Sequence, residues 1–251
     1  MRIPPTSRSV SVCMATYNGA AYLREQLDSI LRELHDDDEI VIVDDASTDD
    51  TVALVAEYSD PRIRLVRNEQ NLGYVRTFER ALSLATRDVV LLSDQDDVWI
   101  NGRRDALVSA SASGFAASNL LTLGEREPLP SPLTGRPWRL RAQRGGGGLG
   151  NELSILAGNI PYYGCAMAID RDALDLVLPF PAYLTESHDL WIATVANAAH
   201  RMTHLEQPTL LRRVHDENAS SSRPRGIGAA LRSRLLLLRL YVEARRRLRR
   251  R

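Results

Sequence analysis

The first hundred residues alternate between two hydrophobic rhythms. Ser9 to Ala15 (SVSVCMA), Glu39 to Val43 (EIVIV), Ile63 to Arg67 and Asp88 to Leu92 (DVVLL) are short, β-rich apolar runs. The stretches between them carry apolar residues at helical spacing. Tyr22, Leu23, Leu27, Ile30, Leu31 and Leu34 do so within Ala20 to Leu34, followed by Val52 to Tyr58 and Thr77 to Ala85. Asn18-Gly19 and Leu72-Gly73 mark turns, and Ala46 to Thr51 (ASTDDT) is a cap-rich helix start. This β-α-β-α-β-α-β order predicts an α/β fold with a single, mainly parallel, doubly wound sheet flanked by helices. Gly114 to Leu123 is a candidate for a further strand.

In such a sheet the C-terminal strand ends open on the ligand crevice. Polar groups follow three of these ends: Tyr17 and Asn18, then Asp44 and Asp45, then Asp94 to Asp97. The last group places three carboxylates within four residues. Clustered carboxylates repel one another and are hard to bury without a cation. Mg²⁺ or Mn²⁺, which take oxygen ligands and share them with substrate phosphates, would meet that need. A solvated acidic loop or a helix N-cap explains the same residues. Asp44, Ser47 and Asp49 could likewise be helix-capping residues, and for Asp44 that is the plainer reading.

A chain of 251 residues can bury one large core. It contains no lysine, since all 32 basic residues are arginine. Schiff-base catalysis and a P-loop lysine are thereby excluded. His35, His200 and His204 lack metal-type spacing, and Cys13 and Cys165 read as buried free thiols. Two cysteines and no signal-peptide pattern lead to the expectation of a cytoplasmic protein.

Formal neutrality hides an asymmetry. Residues 223–251 carry eleven arginines and one glutamate, and residues 1–222 balance them with net charge −10. The tail adds an apolar cluster at Leu235 to Leu238, Leu240, Tyr241 and Val242. It is too short in apolar residues to span a bilayer, which takes roughly 20. Three readings stay open. A basic amphipathic helix could lie on an anionic membrane at the inner face of the plasma membrane. It could pack on the acidic body, or it could attract nucleic acid nonspecifically.

Taken together, SVCMATYNGAAYLREQLDSIL, IVIVDDASTDDT, RNEQNLGYVRTFERAL and VVLLSDQDDVW resemble the nucleotide-sugar half of family 2 inverting glycosyltransferases with the GT-A fold. DQDDVW after NLGYVRTFERAL is similar to the rhamnosyltransferase-like branch. GNIPYYGCAMAIDRDAL, ESHDLWIATVA and QPTLLRRVHDENAS resemble that branch's acceptor region, its His-Asp-aromatic motif and its closing Arg-x-His-x-x-Asn motif. The resemblance runs over roughly residues 9–222, with the motifs in order.

The resemblance implies roles by position. Ala15 and Tyr17 would hold the nucleotide base, and Asp45 would accept from its imide N–H. Arg76 and Arg213 would approach the nucleotide and its diphosphate. Asp94 would lie near ribose and metal. Asp96 would be the principal ligand of Mg²⁺ or Mn²⁺, with His215 beside it, and Asp97 a supporting acid. Asp189 would be the general base. Tyr163, Gly164, Cys165, His188 and Trp191 would form the acceptor side, although Trp191, like Trp99, also reads as a packing residue. Leu190 and Arg212 depart from the pattern, which more often has an aromatic residue and a tyrosine at these positions.

The implied donor is dTDP-rhamnose, with a UDP-sugar second, and the acceptor a glycan or lipid-linked glycan. The implied domain spans residues 1–222, with a nucleotide-sugar half (9–100) and an acceptor half (101–222). A flexible loop at 124–150 holds four prolines and a Gly145-to-Gly148 run. It could act as a lid or be an inert insertion. The competing class is a non-catalytic nucleotide-sugar-binding or membrane-scaffold protein of a glycan assembly complex.

Overall fold

The structure is a computed structural model that describes residues 8–142, 148–215 and 227–250. In chain order the first half contains β1 (Val10–Thr16), α1 (Ala20–Leu31), β2 (Glu39–Asp44), α2 (Thr51–Ala56), β3 (Ile63–Arg67), α3 (Tyr74–Leu84) and β4 (Val89–Ser93). The second half contains β5 (Val98–Trp99), α4 (Arg103–Ala110), β6 (Phe115–Thr122), α5 (Leu149–Ala157), β7 (Met167–Asp170), α6 (Arg171–Val177), α7 (His188–Ala198), β8 (Met202–Arg212) and α8 (Ile227–Arg249).

All eight strands form one sheet in the order β3-β2-β1-β4-β7-β6-β8-β5. The four strands expected from the apolar runs are the parallel half. From β7 onward the directions mix. β7 is antiparallel to both β4 and β6, β8 runs parallel to β6, and β5 is antiparallel to β8.

Side chains of the parallel strands alternate between two covered faces. Val10, Val12 and Met14 of β1 meet Leu23, Leu27 and Ile30 of α1, along with Leu107 and Val108 of α4. Cys13, on the opposite face, joins Phe78 and Leu82 of α3 and Trp191 and Ile192 of α7. Burial on both faces is why these strands read as nearly unbroken apolar runs.

Residues 223–251, expected as a tail apart from the 1–222 domain, contribute to the body. Leu237, Leu240 and Ala244 of α8 are buried in the same cluster as Trp191. Its arginines close neighbouring helix ends, where carbonyls lack intrahelical partners and the dipole favours a cation. Arg247 donates to the carbonyls of Val177 (2.9 Å) and Pro179 (2.7 Å) after α6, and Arg234 to Ala157 at the end of α5 (3.0 Å). Arg245 pairs with the buried Glu152 at 3.2 Å. The opposite face of α8 leaves Leu231, Leu235, Leu238 and Val242 exposed. Residues 223–226 lie outside the described residues.

The described part of the 124–150 loop is tied down. Leu140 is buried, and its backbone N–H and carbonyl bond to the Asn119 amide at 2.7 and 3.1 Å. Trp138 meets Tyr163 edge-on, and α5 begins inside the expected loop at Leu149. Gly145 to Gly147 lie outside the described residues.

Candidate functional site

The C-terminal ends of β1, β2 and β4 open into a cleft of about 710 Å³. Its lining brings together residues from seven separate stretches of chain. Ala15, Tyr17 and Asp45 come from the first two strand ends, and Asp94 and Asp96 follow β4. Tyr163, Gly164, Cys165, His188 and Asp189 form another wall, with Arg212 and His215 at the end of β8 and just beyond.

At the first strand end, Gln95 bridges to the backbone of Tyr17, accepting from its N–H at 2.9 Å and donating to its carbonyl at 3.1 Å. The acidic loop is thus bolted to the Asn18-Gly19 turn. A Cβ on Gly19 would lie 2.2 Å from the end of the Gln95 side chain and would push this bridge aside. Asp45 accepts from the N–H of Leu72 (2.8 Å), the N–H of Gly73 (2.9 Å) and the Asn68 amide (2.7 Å). It therefore holds the loop ahead of α3 against the cleft. Gly73, at φ +81°, supplies the backbone that reaches it. Asp44 is structural but caps no helix, since it ends β2 and α2 begins only at Thr51 with Asp50 at its N-cap. It is fully buried and accepts from the Ser47 N–H (2.9 Å) and the Thr16 hydroxyl (3.1 Å).

The acidic loop is electrostatically strained. Burial, then Asp96, pushes the Asp94 carboxyl up to about 6. Burial, then Asp94 and Asp96, pushes Asp97 up to about 8. Asp97 lies outside the cleft lining, accepting from the backbone N–H of Arg213 at 3.2 Å. Asp96 contacts His215 Nε2 at 2.7 Å across the cleft edge.

Two donor sets compete for a metal. Asp94, Asp97 and Cys165 offer ligand atoms within 4.8 Å of one another. Burial holds the Cys165 thiol protonated, well above its ordinary pKa, and a thiol is a poor partner for a hard cation. Asp94, Asp96 and His215 instead offer oxygen and imidazole donors at the cleft surface, and a cation there would relieve the crowded acids. By donor type the second set is the one suited to Mg²⁺ or Mn²⁺, although its ligand atoms stand farther apart than those of the first.

On the opposite wall, Asp189 sits in the first turn of α7, where its Oδ1 accepts from the Leu190 N–H at 2.8 Å. Burial pushes its carboxyl up to about 6. The preceding Ser187 is left-handed (φ +59°), its N–H held by the Tyr74 hydroxyl at 3.0 Å. A non-glycine residue in this conformation is strain at the point that turns Asp189 inward. His188 is sandwiched by aromatic rings, stacking on Phe78 at 4.4 Å, and burial lowers its pKa to about 3. It therefore stays neutral. Neither ring nitrogen has a partner among the described residues. Gly164 packs against it, since a Cβ there would stand 3.0 Å from His188 Nε2.

Three expected site residues belong elsewhere. Arg76 points away from the cleft, pairing with Glu79 at 2.6 Å and donating to the carbonyls of Pro181, Ala182 and Leu184. It clamps the segment before α7. Trp191 is fully buried, its indole N–H bonded to the Val177 carbonyl at 3.0 Å and its ring covered by Arg247. It has no face to offer an acceptor and packs, as its alternative reading has it. Arg213 supports the acidic loop from behind, donating to the Asp96 carbonyl at 3.0 Å and lying over Tyr22 at 4.9 Å.

Arg212 was assigned no role by its motif position, yet it lines the cleft over the ring of Tyr163 at 5.0 Å. Its place in a motif-breaking pair, Arg212-Arg213, was the one signal in the chain. Asn218, the last residue of the closing motif, lies outside the described residues.

Residues 11–122 match the family model "Glycosyl transferase family 2". Among curated relatives, a UDP-Glc:alpha-D-GlcNAc-diphosphoundecaprenol beta-1,3-glucosyltransferase of Escherichia coli is 32% identical over 100 residues, covering 40% of each chain. A dTDP-rhamnosyl transferase of Shigella flexneri is 35% identical over 116 residues, covering 42% of this chain and 40% of its own. The match thus spans about two fifths of these relatives' length. Among solved structures, S. aureus TarS 1-349 with UDP-GlcNAc aligns over 92% of this chain and 66% of its own, at TM-score 0.68 and 20% identity. The Pyrobaculum calidifontis mannosyltransferase PcManGT, with GDP-Man and Mn²⁺, aligns over 97% and 75%, at TM-score 0.61 and 20% identity. With the motifs, the sheet and these matches in agreement, residues 11–122 are similar to glycosyl transferase family 2, and the chain shares the fold of these two solved structures.

Proposed function

We propose that this chain is a metal-dependent, inverting glycosyltransferase that moves a sugar from a nucleoside diphosphate to an acceptor hydroxyl. One observation carries the reading: Asp189, a carboxyl raised to about 6, faces the same cleft as the acid-lined strand ends. A general base works best with its pKa near the operating pH.

Ala15 and Tyr17 flank the nucleotide. An ionised carboxylate has about four lone-pair sites. Three at Asp45 hold the Asn68–Gly73 loop, which leaves one for the imide N–H of thymine or uracil. Asp94, Asp96 and His215 would hold Mg²⁺ or Mn²⁺, which when bound supplies positive charge against the departing diphosphate. Asp189 takes the proton of the acceptor hydroxyl as its oxygen bonds to the anomeric carbon. The bond from that carbon to the diphosphate oxygen breaks on the opposite face, and the diphosphate leaves with the electron pair. The configuration inverts. Neutral His188 and the ring of Tyr163 border the acceptor.

The Shigella relative's name supports dTDP-rhamnose as the donor, and the E. coli relative's name supports a UDP-sugar second and a lipid-linked acceptor. Thermal unfolding with dTDP, UDP and GDP, each with and without Mn²⁺, tests this. Ligand at 100 times its Kd should stabilise the protein by about 2.7 kcal/mol. We expect the largest shift with dTDP and Mn²⁺ together. Equal shifts with and without metal would remove the metal from the reading, and no shift with any nucleotide would remove the donor class.

No helix among the described residues is long and apolar enough to cross a membrane. The exposed face of α8 nevertheless sets Leu231, Leu235, Leu238 and Val242 at spacings of four, three and four, with Arg232, Arg239 and Arg246 on the same helix. A stripe of this kind bordered by arginine suits an anionic bilayer surface. Cosedimentation with anionic vesicles should occur at low salt and fade as salt rises, since each basic residue contributes about 1 kcal/mol near such a surface. Leu235→Asp with Leu238→Asp should abolish it without unfolding the protein. Equal sedimentation of that variant would refute the assignment.

A further inference from the structure

Most arginines around the cleft are committed. Arg76 holds three carbonyls, and Arg213 is engaged with the acidic loop, Glu25 and Tyr22. Arg103 is fully buried behind the loop, donating to the Thr209 hydroxyl at 2.6 Å and to the carbonyls of Leu92 and Cys165.

Arg212 differs. Its guanidinium makes no hydrogen bond, and it pairs with no carboxylate within 4.0 Å among the described residues. It is half-buried, lies over the Tyr163 ring at 5.0 Å and opens into the cleft. Asp94, Asp97 and Asp189 stand within electrostatic range. Withdrawing a cation from water without a hydrogen-bonded partner is costly. The planar fork of donors that results is the side chain best matched to a carboxylate or phosphate.

We propose that Arg212, seated on Tyr163, is an oxyanion subsite that selects an acceptor carrying a carboxylate or phosphate near its reacting hydroxyl. The inference rests on the glycosyltransferase reading. Its position favours the acceptor over the donor diphosphate. Tyr163 and Asp189 belong to the wall facing the acceptor, whereas the Asp96–His215 pair marks the end suited to the diphosphate. Holding an acceptor anion here would bring its hydroxyl toward Asp189, and a neutral sugar would lack that anchor.

Inorganic phosphate is the probe, followed by ³¹P NMR in Mg²⁺ buffer, with wild type and Arg212→Gln compared. The Arg212 guanidinium makes no hydrogen bond among the described residues, so the variant should unfold at nearly the wild-type temperature, and that is measured first. On the free protein, phosphate should bind wild type at least tenfold more tightly than the variant. With saturating dTDP and Mg²⁺ present, that binding should persist, and dTDP affinity should be unchanged by the substitution. Methyl glucuronide should then compete with phosphate at least tenfold better than methyl glucoside.

Equal phosphate binding by wild type and variant would overturn the subsite. Displacement of phosphate by dTDP, or loss of dTDP affinity in the variant, would reassign Arg212 to the donor diphosphate and overturn the acceptor role. If no nucleotide binds at all, the glycosyltransferase reading fails by itself, while the free-protein comparison still judges the oxyanion subsite.

Discussion

Asp189→Asn is expected to lower turnover by about 10²–10⁴-fold, the usual contribution of a positioned general base, while leaving nucleotide affinity nearly unchanged. The separation follows from geometry. Asp189 stands on the wall formed by α7, where its carboxylate accepts from its own neighbour's N–H. The nucleotide end is built from β1, β2 and β4. The pH dependence carries the sharper signature. A base must be ionised to act, so the wild-type rate should fall as pH drops through about 6, where burial places this carboxyl. The Asn variant should lack that limb.

Stability should move the opposite way. A carboxyl whose pKa is raised in the folded state costs stability as pH rises from the ordinary carboxylate range through about 6. Asp189→Asn should therefore be at least as stable as wild type at neutral pH. A variant that unfolds, or that loses dTDP binding with turnover intact, would contradict the assignment. Asp45→Asn provides the contrast. It should weaken nucleotide binding, because the new amide donor faces the N–H groups of Leu72 and Gly73 that Asp45 now accepts from.

Asp96→Asn is expected to abolish metal-dependent nucleotide binding and to lower turnover by about 10³-fold. Several kcal/mol of charge stabilisation is typical of a catalytic metal, and each 1.36 kcal/mol is a factor of ten. The fold should survive. Asn can still accept from His215 Nε2, and removing one charge eases the crowding that raises Asp94 and Asp97. Both of those carboxyls should then titrate lower, which NMR of the side-chain carboxyl carbons would detect. Wild-type turnover in Asp96→Asn, or full wild-type activity in excess chelator, would exclude metal at this position. Chelation that halts the wild type while leaving a residual Asp96→Asn rate untouched would support it.

The parallel half of the fold could be read directly from the chain. β1, β2 and β4 are apolar on both faces because both are covered, and a local run of such residues has few other uses; β3, at the sheet edge, is only partly buried. The acids after β2 and β4 were legible as a group for the same reason, since sheet topology sends every parallel strand end to one edge. The second half was less readable. β7 and β8 enter the sheet through pairings with β4, β5 and β6 that depend on segments far away in sequence. From composition the basic segment at the C-terminus left membrane and body open, with nucleic acid the least favoured partner. Leu237, Leu240 and Ala244 meeting the α7 cluster places α8 on the body, and it does so only once α5, α6 and α7 are assembled.

Motif position assigned the same kind of role to Arg76, Arg213 and Trp191 as to the residues that line the cleft. Local sequence encodes residue type and spacing, which is enough to recognise a strand, a turn or an acidic loop. It does not encode which way a long side chain reaches. Arg76 found three carbonyls after α6, Trp191 found the Val177 carbonyl beneath Arg247, and the Arg212 guanidinium found none. Whether an arginine is a clamp or an open cation depends on the partners that packing brings within about 3 Å. Those partners come from elements that meet only in the folded chain.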